Sequence, residues 1–199
     1  MTQRVFITGG ASGLGRAIAL RYAKEGAKVC IGDINPEQGV AVEAELNNAG
    51  GEGYFVECDV RRLSDFEKVR DDLVQKWGGV DVVVNNAGIL RDKSFHKMED
   101  ADWDLVYKVH VEGAYKTTRA AWPHLREQNF GRVIFTSSTS GIYGNFGQAN
   151  YAMAGGTEPT IVWYGTVQAG RQYYSGNVDQ GPWLLVRAWS DGLVEGLQF

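Results

Sequence analysis

The chain has 199 residues, of which 44% are hydrophobic, and its formal net charge is −4. This length favours one globular domain with a sizeable core, and the interspersed charges exclude a broad basic surface for nucleic acid or anionic membranes. We find no apolar run of about 18 residues and no signal-peptide pattern, so we expect no membrane partner and a cytoplasmic protein.

β-Rich apolar runs alternate with segments of helical period up to about residue 150. The runs predict strands at 4–8, 28–32, 53–57, 80–85 and 132–136. The periodic segments predict helices at 14–25, 36–48, 64–77 and 101–127, with a break within the last of them as an alternative, and one more that starts near residue 150. This alternation is typical of an α/β fold, a Rossmann-type doubly wound parallel sheet with helices on both faces.

A glycine-rich turn joins the first predicted strand to the first predicted helix, with glycines at Gly9, Gly13 and Gly15. Glycine permits positive φ and lets a ligand approach the backbone closely. The N-terminus of the following helix favours a phosphate group. The turn, which also contains Ser12 and Leu14, therefore predicts a dinucleotide site, with a plain connecting turn as the alternative.

Asp33 follows the second predicted strand. A carboxylate at this point can accept hydrogen bonds from a ribose diol, and it repels a 2′-phosphate. Ser12 adds no positive charge for such a phosphate, so NAD is favoured over NADP. The alternative for Asp33 is a helix-capping or loop acid, because Asp33-Ile-Asn-Pro is typical of turns.

Two further motifs end predicted strands: Asp59-Val60, and Asn85-Asn-Ala-Gly after a run that reads as a buried strand. Polar amides and a small turn suit the crevice in which α/β folds bind ligands. Together with the spacing Thr8-Gly-x-x-x-Gly-x-Gly, these motifs resemble the short-chain dehydrogenase/reductase family. The resemblance implies that the following residues contact the cofactor, the first two at the adenine ring: Asp59, Val60, Asn86, Ala87 and Gly88.

Ser138 follows the fifth predicted strand, and Tyr151 lies thirteen residues later. The resemblance implies that the serine binds the substrate oxygen and the tyrosine takes the substrate's proton. A phenol has a pKa near 10 and is a poor base at neutral pH, which the family corrects with a lysine one helical turn after the tyrosine. Here Gly155 occupies that position, and no lysine follows Lys116.

His110 occupies the position of an asparagine that the family often carries at a kink in the fourth helix. The resemblance implies that the backbone carbonyl there joins a water chain to the catalytic lysine, and His110 can provide this carbonyl. The alternative is a packed or surface helical histidine, and both interpretations remain open. Cys30 and Cys58 are expected to be buried thiols, and no spacing of cysteines and histidines predicts a metal site.

Segments 89–95, 117–124 and 136–151 extend the resemblance to the (3R)-hydroxyacyl-CoA dehydrogenase and 17β-hydroxysteroid dehydrogenase group of the family. This implies an NAD(H)-dependent enzyme that interconverts a secondary alcohol and a ketone, with 3-hydroxyacyl-CoA as the small-molecule partner. Because Gly155 replaces the lysine, the alternative is a catalytically impaired nucleotide-binding homologue with a binding or regulatory role. The resemblance also implies a homodimer or homotetramer and permits a peroxisomal location, although we see no targeting signal.

The resemblance ends near residue 154. We therefore predict a dehydrogenase core over 1–154 and an atypical tail over 155–199, with the later strands of the sheet truncated or altered. A message for Ala-Lys-Ala-Gly-Leu-Asn that loses two bases of its lysine codon reads Ala-Gly-Gly-Thr-Glu, and the next codon begins with C. Residues 154–159 read Ala-Gly-Gly-Thr-Glu-Pro. Our hypothesis is that a frame slip or a misplaced splice junction produced the tail.

Overall fold

The computed structural model describes residues 2–156, 186–188 and 194–196. Within this part of the chain, five parallel strands form one sheet. In chain order they are β1 (Arg4–Thr8), β2 (Lys28–Asp33), β3 (Glu52–Glu57), β4 (Val82–Asn85) and β5 (Arg132–Phe135). Their order in the sheet is β3-β2-β1-β4-β5, so the strand order reverses between β1 and β4. In open α/β sheets, ligands bind at such a reversal, beyond the carboxyl ends of the strands.

Helices connect the strands, as the alternating pattern predicted. They are α1 (Gly13–Lys24), α2 (Pro36–Asn48), α3 (Leu63–Trp77), α4 (Asp100–Tyr107), α5 (Gly113–Glu127), α6 (Ser140–Tyr143) and α7 (Ala149–Gly156). A 3₁₀ turn at Phe95–Lys97 precedes α4, and a π-helical turn at Lys108–Glu112 separates α4 from α5. The sequence did not predict the 3₁₀ turn or α6, because both are too short to show a periodic pattern.

The core has two layers, one on each face of the sheet. Val5 and Ile7 of β1 face one layer, which includes Ala19 of α1 and Leu46 of α2. Phe6, between them, faces the other layer, to which α3 and α5 contribute. This alternation follows from the two-residue period of a strand, and it confirms a sheet covered by helices on both faces.

Most element boundaries lie within one residue of the prediction, and the strand predicted at 80–85 differs by two residues. This strand begins at Val82, and the carboxylate of the preceding Asp81 accepts hydrogen bonds from the Arg4 backbone N–H at 2.9 Å and from the guanidinium at 2.6 Å. The long helix predicted at 101–127 is interrupted by the π-helical turn, whose extra residue per turn shifts the side chains that follow.

Beyond α7 the structure describes two short strands, β6 (Val186–Ala188) and β7 (Val194–Gly196), which pair antiparallel. The predicted tail over 155–199 otherwise lies outside the described residues, so the domain boundary stays a prediction. No helix among the described residues is both long and apolar enough to cross a bilayer. The same residues contain no group of three or more His, Cys, Asp or Glu side chains that could hold a metal ion.

Candidate active site

A cavity of about 540 Å³ opens at the carboxyl ends of all five parallel strands. It brings together every predicted site residue except Gly15. These lining residues are Gly9, Ser12, Gly13, Leu14, Asp33, Asp59, Val60, Asn86, Ala87, Gly88, His110, Ser138 and Tyr151. Candidates predicted from separate motifs therefore converge on one site.

Gly15 lies beneath the glycine-rich turn. A Cβ atom at this position would come within 2.1 Å of the Gly9 carbonyl oxygen and 2.6 Å of the Asn86 amide nitrogen, so no larger residue fits without displacing the turn. Gly13 has a φ of +52°, and a Cβ atom there would meet nothing within 4 Å. The turn thus leaves open space above its backbone at the N-terminus of α1, which fits the pyrophosphate of a dinucleotide.

Thr8 ties the turn after β1 to the turn after β4. Its Oγ atom accepts hydrogen bonds from the backbone N–H groups of Asn86 and Ala87, both at 3.0 Å. In return, Nδ2 of Asn86 donates to the carbonyl oxygens of Thr8 at 3.1 Å and Gly9 at 3.3 Å. The two motifs that the sequence placed at the cofactor therefore form one hydrogen-bonded unit.

The Asp33 carboxylate is fixed at the end of β2. One of its oxygens accepts from the backbone N–H of Ala11 and the other from that of Asn35, each at 3.1 Å. The cap of α2 is Asn35, whose side chain accepts from the Gln38 backbone N–H at 3.1 Å. Asp33 therefore does not cap this helix, whereas its contact with the Asn35 N–H agrees with the other part of that alternative, a loop acid, and Asp33 also lines the cavity.

Asp59 pairs with Arg61, which also lines the cavity and which the sequence analysis missed. The guanidinium lies 2.6 Å from the carboxylate, and the hydrogen bonds from it hold the pKa of Asp59 below its usual range. The Lys116 ammonium donates to the Arg61 carbonyl oxygen and to Glu112, both at 2.9 Å. These two hydrogen bonds hold the Lys116 ammonium next to Arg61.

Ser138 and Tyr151 line the cavity together with Gly155. The Ser138 Oγ atom accepts a hydrogen bond from the backbone N–H of Ser140 at 3.2 Å. A Cβ atom at Gly155 would lie 3.5 Å from the Ser138 Cβ atom, an ordinary van der Waals contact. The position at which the family carries its lysine thus adjoins the predicted catalytic pair, and a side chain could begin there without a clash.

His110 lies within the π-helical turn, and its ring faces the site. Nε2 is 2.9 Å from the backbone N–H nitrogen of Ile89, from which it accepts, and 3.0 Å from the carbonyl oxygen of the same residue. A Cβ atom at Gly88 would come within 2.5 Å of the imidazole, so the glycine makes this approach possible. Burial lowers the pKa of His110, which favours the neutral ring. The relay through its carbonyl stays a prediction.

A family model described as short chain dehydrogenase matches residues 3–155. The chain belongs to the short-chain dehydrogenase family. It is 50% identical over 156 residues to peroxisomal multifunctional enzyme A of Dictyostelium discoideum and 45% identical over 159 residues to peroxisomal multifunctional enzyme type 2 of Mus musculus. These matches cover 74% and 75% of this chain, but the chain spans only 35% and 21% of the two relatives.

Among solved structures, this chain is similar to NAD⁺-bound xylitol dehydrogenase, with a TM-score of 0.75 and 29% sequence identity. The similarity covers 77% of this chain and 60% of that one. Together with family membership, it supports a nicotinamide cofactor and an oxidoreductase with a small-molecule substrate.

The cavity has further lining residues that were not among the predicted site residues. They are Ile34, Cys58, Arg61, Ile89, Leu90, Arg91, Leu105, Val109, Thr136, Ser137 and Gly155. Burial raises the pKa of the Cys58 thiol to about 12, so it stays protonated at neutral pH and is a poor nucleophile. Ile89, Leu90 and Arg91 could have been predicted to line the cavity, because they directly follow the Asn-Asn-Ala-Gly turn.

Proposed function

We propose that this chain is an NAD(H)-dependent oxidoreductase that interconverts a secondary alcohol and a ketone. One observation carries the proposal: four motifs that are distant in sequence line a single cavity at the switch point of the sheet. Membership of the short-chain dehydrogenase family supports the same reaction class.

The cofactor-binding part of the cavity comprises the glycine turn, Asp33, and the Asp59-Val60 pair. We propose that the turn holds the pyrophosphate, Asp33 accepts the hydroxyls of the adenosine ribose, and Val60 packs on the adenine. The fixed negative charge of Asp33 supports NAD over NADP, because it repels a 2′-phosphate. When bound, the nicotinamide accepts or supplies the hydride.

We propose that Tyr151 and Ser138 carry out the acid–base catalysis. In the direction of alcohol oxidation, the Tyr151 side chain in its phenolate form would accept the hydroxyl proton and become the phenol, while the Ser138 hydroxyl donates to the substrate oxygen as its charge develops. Ile89, Leu90 and Leu105 give the cavity apolar lining.

We propose a 3-hydroxyacyl-CoA thioester as the substrate, because segments 89–95 and 136–151 carry the resemblance to hydroxyacyl-CoA dehydrogenases and both border the cavity. The test is NADH formation from NAD⁺ and (3R)-3-hydroxybutyryl-CoA, followed by absorbance. We expect turnover in the native chain that the Tyr151→Phe variant lacks. Equal rates in the two proteins would contradict the proposed role of Tyr151.

The second candidate function is a nucleotide-binding protein without turnover, with a binding or regulatory role. Gly155 favours it, because the cavity wall next to Tyr151 carries no side chain at this position. A native chain that binds NADH but converts none of the 3-hydroxyacyl-CoA, while its Gly155→Lys variant does, would establish this alternative.

The frame-slip hypothesis for residues 155–199 remains a proposal. It is supported by the family match, which ends at residue 155, the position of the missing lysine. Sequencing the transcript of this chain tests the hypothesis. An in-frame message with no lost bases across codon 155 would contradict it.

Location and assembly are proposals as well. The two relatives named above are both called peroxisomal, which supports the peroxisomal alternative over the cytoplasmic one. Tyr107 and Tyr115 are 40% and 60% exposed along α4 and α5, which supports an oligomer formed on these helices. Microscopy of a tagged full-length chain measures its location in the cell. Sedimentation of the purified protein measures its oligomeric state.

A further inference from the structure

Asn150 directly precedes Tyr151, and none of its surface is exposed to solvent. A buried amide lowers stability unless its donors and acceptor find partners. The partners of this side chain lie on the loop after β4, on α4 and on α7 itself.

The amide of Asn150 connects the start of α7 to the loop after β4 and to α4. Its Nδ2 atom donates to the Arg91 carbonyl oxygen at 3.1 Å and lies 3.5 Å from the Asp102 carbonyl oxygen. Its Oδ1 atom accepts from the Tyr151 backbone N–H at 2.8 Å. The loop after β4, whose residues 89–91 form a wall of the cavity, is thus joined to the backbone of Tyr151 through one side chain.

A second amide, that of Gln148, strengthens the connection from the residue directly before α7. Its Nε2 atom donates to the Asp92 carboxylate at 2.9 Å, next to the Arg91 carbonyl. Its Oε1 atom accepts from the Ser140 hydroxyl at 2.9 Å, and the Ser140 backbone N–H donates to the Ser138 hydroxyl at 3.2 Å. Gln148 therefore extends the network to the loop that carries Ser138.

We propose that Asn150 is a positioning residue, which holds Tyr151 in register with the cavity wall at 89–91, while Gln148 links Ser138 to the same frame. The inference rests on the proposed function, because it assigns a purpose to the alignment of these side chains. The physical reason is that hydrogen bonds are directional, whereas apolar packing alone tolerates sliding. A fully partnered polar network therefore selects one arrangement of the three segments.

The Asn150→Leu variant tests the hydrogen bonds, because leucine has the same branched arrangement of side-chain heavy atoms but makes none of the three contacts. We expect turnover of (3R)-3-hydroxybutyryl-CoA to fall about 100-fold, the loss expected for a misplacement of about 1 Å, while KM for NAD⁺ stays within about twofold. A control for the loss of an amide is Asn47→Leu, which removes an exposed side-chain amide that bonds the Gly53 backbone far from the cavity. Native-like turnover in Asn150→Leu would overturn the proposal.

Hydrogen exchange of the NADH-bound protein provides a readout that does not need turnover. We expect faster amide exchange at residues 89–93 in Asn150→Leu and in a second variant, Gln148→Ala, with exchange in β1 and β2 unchanged. A uniform increase across the domain, or no increase at 89–93 in the folded variant, would overturn the positioning role. If the native chain shows no turnover but the two variants show this local increase in exchange, the result would contradict the proposed function and still support the positioning inference.

Discussion

The rings of His110 and Tyr151 pack edge to face, with their centroids 5.3 Å apart and their planes at 84°. The imidazole is in turn held by the backbone of Ile89 through Nε2. The predicted proton acceptor therefore rests against a side chain that is itself fixed to the turn after β4. This contact makes His110 a part of the site through its ring, whatever its carbonyl does.

Replacing His110 with asparagine should flatten the dependence of stability on pH. Because burial lowers the pKa of His110, the unfolded chain takes up the proton first as pH falls below about 6.5, and the native state loses stability down to the lowered pKa. Urea unfolding between pH 7 and pH 5 measures this. We expect the His110→Asn variant to lose less, by up to about 1.4 kcal/mol per pH unit. Parallel losses in both proteins would contradict the prediction.

A lysine at Gly155 should raise turnover at neutral pH. The site has room for the first side-chain atom, which would lie 3.5 Å from Ser138 Cβ, and an ammonium near the phenol favours its ionised form. We expect the Gly155→Lys variant to turn over substrate about 100-fold faster than the native chain, the lower range for general acid–base catalysis. The Gly155→Met variant, with an uncharged chain of similar length, controls for packing. A similar rise in both variants would show that charge is not the cause.

An alanine at Gly15 should weaken NADH binding. Its Cβ atom would lie 2.1 Å from the Gly9 carbonyl oxygen, so the turn that would cradle the pyrophosphate must move. We expect the Kd from NADH fluorescence to rise about tenfold or more, which corresponds to about 1.4 kcal/mol.

The control for Gly15 is Gly26→Ala, which places a side chain at a φ of +77° with nothing within 4 Å. It should lower the free energy of unfolding by about 1 kcal/mol and leave the Kd unchanged. Equal binding by the Gly15→Ala variant and the native chain would contradict a phosphate site at this turn.

Asparagine at position 33 should reduce discrimination between the two dinucleotides. It removes the negative charge, and its side-chain oxygen can replace one of the two contacts to the Ala11 and Asn35 N–H groups. We expect the ratio of the Kd for NADP⁺ to that for NAD⁺ to fall about tenfold in the Asp33→Asn variant. An unchanged ratio, measured by calorimetry, would show that Asp33 does not select the cofactor.

The sheet and the cofactor side of the site could be predicted because their signals are local. The glycine turn, Asp33 and the Asn86–Gly88 turn each stand next to an apolar run, and parallel strands must bring their carboxyl ends to one edge. The convergence of these residues on one cavity follows from that topology.

The substrate side was harder to predict, because its contacts join segments that are distant in sequence. The resemblance indicated a kink at His110, but nothing near this residue indicates the approach of its ring to Gly88 and Tyr151. The hydrogen bonds of Asn150 to Arg91 and Asp102 span 59 and 48 residues, and no periodic pattern encodes them.

The proposed dehydrogenase function requires a dinucleotide site at the carboxyl ends of the strands. A crystal structure of the chain grown with NAD⁺ tests this site most directly. We predict pyrophosphate density above Gly13, and ribose hydroxyls within hydrogen-bonding distance of the Asp33 carboxylate. A cavity without NAD⁺ at a saturating concentration, or NAD⁺ bound elsewhere on the chain, would contradict the account.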